Sequence, residues 1–144
     1  IGCQTRTLSA INITQIAEPY IRRRAIRHME KGRIVIIAGG TGNPFFTTDS
    51  AAALRATELG SDILLKGTKV DGVYNKDPEK YTDAKKYKKL TYNKVIQDNL
   101  RVMDMTAITL CKENNIPIKV FNIKNSGDLL DIVMGSKIGT TIGK

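Results

Sequence analysis

The alternation of apolar and polar positions divides this chain into short strands and helices in regular succession, and one unit stands out, Arg33 to Gly60, RIVIIAGGTGNPFFTTDSAAALRATELG. Ile34 to Ala38 is an unbroken, mostly β-branched run followed at once by glycines. Such a run predicts a strand buried on both faces, in a parallel sheet. In the turn Gly39-Gly40-Thr41-Gly42-Asn43-Pro44 the glycines are free to take positive φ and the proline has φ fixed, so the backbone can fold tightly and approach a ligand. Thr47, Thr48, Asp49 and Ser50 then crowd the start of an alanine-rich helix over 51–58, which Gly60 stops.

The same pattern extends in both directions. RTLSAINI, residues 6–13, alternates loosely and predicts a strand. Pro19 stands where a first helical position would be, and a helix carrying Arg22, Arg23, Arg24, Arg27 and His28 follows, ending before Lys31-Gly32. That face is either solvated or a subunit or effector contact that recognises phosphate. DILLK, residues 62–66, is a further short strand. A strand, helix, strand order with a helix of this length implies a right-handed crossover in one parallel sheet, with the loops after Ala38 and Lys66 opening on the same edge. The lysine-rich stretch 79–89 reads as a mobile solvated loop. Thr91 can cap a helix over 92–97, and Asp104 a helix running to about Asn114. Residues 116–122 form a strand entered through Pro117, 127–134 a helix closed by Gly135, and 140–142 a last edge strand.

Length and charge narrow the classes. A chain of 144 residues is read as one domain, long enough to bury a real core. The net charge of +9 points to anionic partners such as nucleotides, nucleic acid or membrane surfaces. No apolar run is long enough to cross a bilayer, and no basic-then-apolar signal opens the chain. Two cysteines, Cys3 and Cys111, make no disulfide framework, which makes a reducing cytoplasm the default; Cys111, on a predicted helix, reads as buried packing. One histidine gives no zinc-type cluster.

Two loops carry the candidate chemistry. The first turn of a helix leaves N–H groups unpaired at the positive end of its dipole, so the glycine turn followed by Thr47 and Thr48 suits a phosphate. It is not the dinucleotide fingerprint, because the third glycine position is Phe45, and it is not a Walker A loop. Asn43 presents a donor and an acceptor to a ligand, or else only forms the turn; Phe45 and Phe46 are ligand contacts or packing. The second loop, KGTKVDGVYNKDP, offers the hydroxyl of Thr68, Tyr74 for stacking, and carboxylates at Asp71 and Asp77. Taken alone it would form a hairpin.

The run GGTGNPFFTTDSAA resembles the acceptor-nucleotide loop of bacterial uridylate (UMP) kinases, members of the amino-acid kinase superfamily, and TKVDGVYNKDP and LRVMDMTA match that family in order and approximate spacing. The resemblance covers nearly the whole chain. It implies a three-layer α/β/α sandwich with a mainly parallel sheet, of which residues 1–144 would be a single-domain carboxy-terminal portion. The chain starts at Ile1, and the relatives' lysine-glycine motif and second glycine-rich loop would lie before it. The implied reaction passes the γ-phosphoryl of ATP to UMP, giving UDP and ADP in pyrimidine nucleotide biosynthesis, with Mg²⁺. Thr41, Gly42, Asn43, Pro44, Phe45, Phe46, Thr47 and Thr48 would seat UMP. Thr68, Tyr74 and Asp77 would contact ATP, in a crevice beside the UMP site on the same sheet rim. Asp104 resembles a catalytic aspartate, and Asp49 is either a helix cap or a carboxylate that orients a lysine or Mg²⁺; no residue is assigned as a metal ligand. A homohexamer regulated by GTP and UTP is the implied assembly. The alternatives are a superfamily member acting on an amino acid or carbamate, a nucleic-acid module, and a fragment inactive alone.

Overall fold

Residues 2–144 are described by the computed structural model, an α/β arrangement whose strands and helices follow in chain order. They are β1 (Thr5–Ser9), β2 (Glu18–Pro19), α1 (Arg22–Glu30), β3 (Ile34–Ala38), α2 (Thr48–Leu59), β4 (Leu64–Thr68), β5 (Val73–Tyr74) and β6 (Lys86–Tyr87). There follow β7 (Lys89–Thr91), α3 (Tyr92–Gln97), α4 (Met105–Glu113), β8 (Ile118–Asn122), α5 (Asp128–Val133) and β9 (Thr140–Gly143). The strands form a parallel sheet β2-β1-β3, a sheet β4-β8-β9-β7 and a hairpin β5-β6. In the four-stranded sheet β4 runs parallel to β8 and β7 parallel to β9, while β8 and β9 are antiparallel.

The core lies on one face of the four-stranded sheet. Leu90, Ile118, Val120 and Ile142 point into it, against Ala53 and Ala56 of α2, Val95 of α3, and Ala107, Ile108 and Cys111 of α4. Burying each of the larger aliphatic side chains is worth roughly 1.5–3 kcal/mol. The alanines of α2 let α4 approach closely, which sets the spacing of the two helix starts that matter below. Cys111 is fully buried, as expected, and burial pushes its thiol up to about 11.

Several expectations are corrected. β3 and β4 do not share a sheet: β4 pairs with β8 in register Leu64↔Ile118 to Thr68↔Asn122, and β3 pairs with β1. The apolar pattern gives each strand its character but not its neighbour. Nor is β3 buried on both faces, since Ile34 and Ile36 are 54% and 49% exposed on one face of an edge strand. β1 ends at Ser9 rather than continuing to residue 13, because the Ser9 hydroxyl accepts from the Ile11 N–H at 3.1 Å and donates to the Ile11 carbonyl at 2.6 Å, turning the chain out of the sheet. Pro19 opens no helix; it lies opposite Ser9 on the edge strand β2, where a missing donor costs little, and α1 starts at Arg22 after an extended Ile21.

β4 runs two residues past its expected end. Within the supposed solvated loop, Lys86–Tyr87 and Lys89–Thr91 pair as strands, the first with β5. β9 is interior rather than an edge, flanked by β8 and β7 with Thr140 and Ile142 fully buried. Among the described residues no helix is long and apolar enough to cross a membrane.

Candidate functional site

The glycine turn after β3 is a tight backbone turn in which the Gly42 N–H donates to the Gly39 carbonyl at 3.0 Å. Gly42 has φ +76°, and a Cβ there would meet the Ala10 carbonyl oxygen at 2.9 Å, so the turn rests against the chain leaving β1. Asn43 folds back on Thr41: its N–H donates to the Thr41 hydroxyl at 3.1 Å and its side-chain amide reaches the Thr41 carbonyl at 3.4 Å. Phe45 takes φ 67°, an uncommon conformation for an aromatic residue. Phe45 is fully exposed and Phe46 is 57% exposed, so neither ring is core packing in this structure. Gly42 to Thr48 form an exposed ledge leading straight into α2.

Thr47 is the N-cap of α2, its hydroxyl accepting from the Ser50 N–H at 3.2 Å. Asp104 is the N-cap of α4 and accepts from the Ala107 N–H at 2.8 Å. The two caps meet. The Thr47 hydroxyl donates to the Asp104 carboxylate, and the Ser50 hydroxyl lies 3.1 Å from both of its oxygens. One carboxylate thus ties together two helix starts whose chain positions are 57 residues apart. Burial pulls the Asp104 carboxyl upward, but the bonds from Thr47, Ala107 and Ser50 outweigh it and hold the group below the ordinary carboxylate range.

Asp49, in the first turn of α2, is not the cap. It forms an ion pair with Lys66 of β4, both side chains about one quarter exposed. Sequence left open whether Asp49 caps or orients a lysine, and the structure supplies the lysine. Asp49 and Asp104 both line a cavity of about 400 Å³ whose wall is the segment Asn99 to Met105, the stretch before α4. Among the described residues no three acidic, histidine or cysteine side chains converge. Asp49 and Asp104 are the carboxylates of this cavity that could hold a divalent cation.

The second loop is also ordered by its own residues. The Thr68 hydroxyl accepts from the Val70 N–H at 3.0 Å and donates to the Val70 carbonyl at 2.6 Å. Asp77 accepts from the Glu79 N–H at 3.0 Å. The Tyr74 hydroxyl donates to Asp71 at 2.6 Å, and Asp71 also takes Lys86 at 2.7 Å. Lys86, then Tyr74, hold the Asp71 carboxyl down, and the bond to Asp71 raises the Tyr74 phenol. The hairpin expected of this loop taken alone is present, since Val73 and Tyr74 pair with Tyr87 and Lys86.

The structure therefore gathers Thr47, Asp49, Lys66 and Asp104 into one cluster, with Ser50 as a member that sequence named only as part of a helix start. Thr68, at the end of β4, Tyr74, in β5, and Asp77 are spread along the following stretch, each bonded to a near neighbour: Val70, Asp71 and Glu79 respectively. The Asp71–Lys86 tie was not foreseen, because a separation of 15 residues leaves no local signal.

Comparison with known proteins gives a consistent result. The amino acid kinase family profile matches residues 1–122. A crystal structure of UMP kinase from Bacillus anthracis superposes with a TM-score of 0.96 at 42% identity, covering 99% of this chain and 59% of that one. UMP kinase from Ureaplasma parvum gives 0.92 at 40% identity, covering 99% and 61%. Uridylate kinase from Archaeoglobus fulgidus gives 0.70 at 29%, covering 94% and 61%. The chain thus spans about three fifths of the length of the structures it matches. The match over most of its length, with this arrangement of loops and helix starts, places the chain in the amino acid kinase family.

Proposed function

We propose that this chain carries the acceptor and donor loops of a UMP kinase, which passes the γ-phosphoryl of ATP to UMP and yields UDP and ADP for pyrimidine nucleotide synthesis in the cytoplasm. The observation that carries the reading is the Asp104 junction, which fixes the acceptor ledge and the start of α4 against each other. Phosphoryl transfer needs little covalent work from the protein and depends on holding two nucleotides in line while charge is neutralised.

In this reading Thr41 to Thr48 seat UMP, with Asn43 addressing the pyrimidine edge and the α2 N–H groups its phosphate. Thr68, Tyr74 and Asp77 seat ATP, with Tyr74 stacking on the purine. Mg²⁺, when bound, neutralises charge on the passing phosphoryl group. Asp104 holds Thr47 and the α2 start in place beside it, and Asp49 orients Lys66. A homohexamer with GTP and UTP as effectors belongs to the same proposal, with the α1 arginines on a contact surface.

The test is a melting-temperature scan with UMP, CMP, ATP and GTP, which reports binding even where turnover is absent. UMP and ATP are expected to raise the melting temperature, UMP more than CMP. Asn43→Ala is expected to abolish the UMP shift and spare the ATP shift; equal loss of both would mean a collapsed loop. Absence of any shift with either nucleotide, in a protein that melts cooperatively, would overturn the reading for this chain.

A further inference from the structure

The face of the four-stranded sheet opposite the core carries a row of three side chains in direct register, Lys119 on β8, Thr141 on β9 and Lys89 on β7. They alternate with the core positions Ile118, Val120, Ile142 and Leu90. This face is the floor of a cavity of about 1040 Å³, walled by the loop Gly135 to Gly139. Five of its lining side chains are lysines, namely Lys86, Lys88, Lys89, Lys119 and Lys137, and two are carboxylates. Both carboxylates are already engaged. Asp71 takes Lys86 at 2.7 Å, and Asp128 accepts from the Asn125 side-chain amide at 3.0 Å.

Lys119 is the unusual member. It is only 7% exposed, yet its ammonium reaches only the Ser136 carbonyl at 3.4 Å and the Thr141 hydroxyl at 3.3 Å, both long and both neutral. Among the described residues no carboxylate lies within ion-pair distance of it. Burial of an ammonium without a counter-charge is costly, and here it lowers the Lys119 pKa. An anion entering the cavity would offset that cost and the mutual repulsion of the surrounding lysines. Lysine meets phosphate as a point charge without demanding planar geometry, and the volume suits a molecule of nucleotide size rather than a single phosphate.

We propose that this cavity is a second anion site, separate from the glycine-loop ledge, that binds a polyphosphate group, free or carried on a nucleoside, with Lys119 as its buried anchor. It shares only Asp71 with the loop 68–78. The proposal does not depend on the phosphoryl-transfer reading.

The test is titration of the chain with sodium tripolyphosphate at low ionic strength, followed by amide chemical shifts, with sodium chloride of equal ionic strength as the control. Saturable binding that moves the amides of Lys89, Gly135, Lys137 and Gly139 is expected. Lys119→Met and Lys137→Gln are each expected to weaken it roughly tenfold to a hundredfold, the size of a lost hydrogen bond to a charged group. A parallel titration with cytidine triphosphate separates the two sources: tighter binding that also moves the Ile138 amide assigns the nucleoside form, and equal binding assigns bare polyphosphate. Should Lys119→Met fail to fold, the exposed Lys137→Gln and Lys89→Gln decide. Unchanged affinity in both overturns the site, as do shifts confined to residues 39–50 and 67–74, or a response that sodium chloride reproduces.

Discussion

Replacing Asp104 tests whether one carboxylate fastens two helix starts. Asp104→Ala removes the cap of α4, worth roughly 0.5–2 kcal/mol. It also removes the charged acceptor for the Thr47 and Ser50 hydroxyls, where bonds to charged groups are worth roughly 1.5–3 kcal/mol each when buried. Because Asp104 is only half-buried, the lower ends of these ranges apply, for a total of about 2–4 kcal/mol. At this chain length that corresponds to a fall of roughly 5–15 °C in melting temperature. Asp104→Asn keeps one carbonyl oxygen for the Ala107 N–H and gives up the charge, so about half the effect is expected.

The pH dependence gives an independent check on the same bonds. The folded-state pKa of Asp104 lies below its ordinary value of 3.8, so the group contributes stability that is complete above that value and is lost as pH falls through the folded pKa. The gap between the parent and Asp104→Asn in urea unfolding should thus be full at pH 7 and narrow below about pH 4. An Asp104→Asn protein as stable as the parent at pH 7, or a gap that stays constant down to pH 3, would refute the reasoning.

Other consequences follow from single residues. Gly139→Ala should abolish folding or cost more than about 4 kcal/mol, since φ is +80° and a Cβ would sit 2.1 Å from the Val120 carbonyl oxygen; soluble yield and circular dichroism would show it. In a double-mutant cycle by urea unfolding, Asp49→Asn and Lys66→Met should couple by roughly 0.5–1 kcal/mol, the range for a partly exposed pair, and additive effects would mean the pair contributes nothing. A thiol reagent at pH 8 should label exposed Cys3 and spare buried Cys111 until the chain unfolds.

The helix starts were the most legible part of the fold, because capping is local chemistry. Thr91 and Asp104 each cap the helix expected of them, and Gly60 ends α2 with φ 65° as a left-handed C-cap. Strand partners were less legible. The run from Ile34 to Ala38 has the composition of a central strand, yet it stands at a sheet edge, because β-propensity records a residue's fit to a pleated surface and not what lies beside it. Lys86 to Lys89 read as a solvated loop; the lysines are indeed exposed, but backbone pairing makes short strands of Lys86–Tyr87 and Lys89–Thr91, which side-chain polarity does not signal. In the site, the role of Ser50 was hidden because its partner Asp104 lies 54 positions away.

The charges of the site indicate what this part of the chain can and cannot do. Lys66 is neutralised by Asp49, and Lys86 is held by Asp71. Asp104 is a carboxylate set between two helix N-termini, capping the Ala107 N–H of α4 and accepting from the Thr47 and Ser50 hydroxyls at the start of α2. The cluster therefore keeps one net negative charge, that of Asp104, although the whole chain carries +9. Such an arrangement is suited to fixing geometry and poorly suited to neutralising a phosphoryl group in transit. The Gly42 and Asn43 N–H groups are spent within the turn, and partial charges on a loop do not replace a full cation. In the proposed UMP kinase reading, the positive charge for the transfer step would come from a metal ion on the phosphates or from cations beyond this cluster, so supplying divalent cation should raise ATP affinity more than UMP affinity. Equal effects on both would place the cation elsewhere.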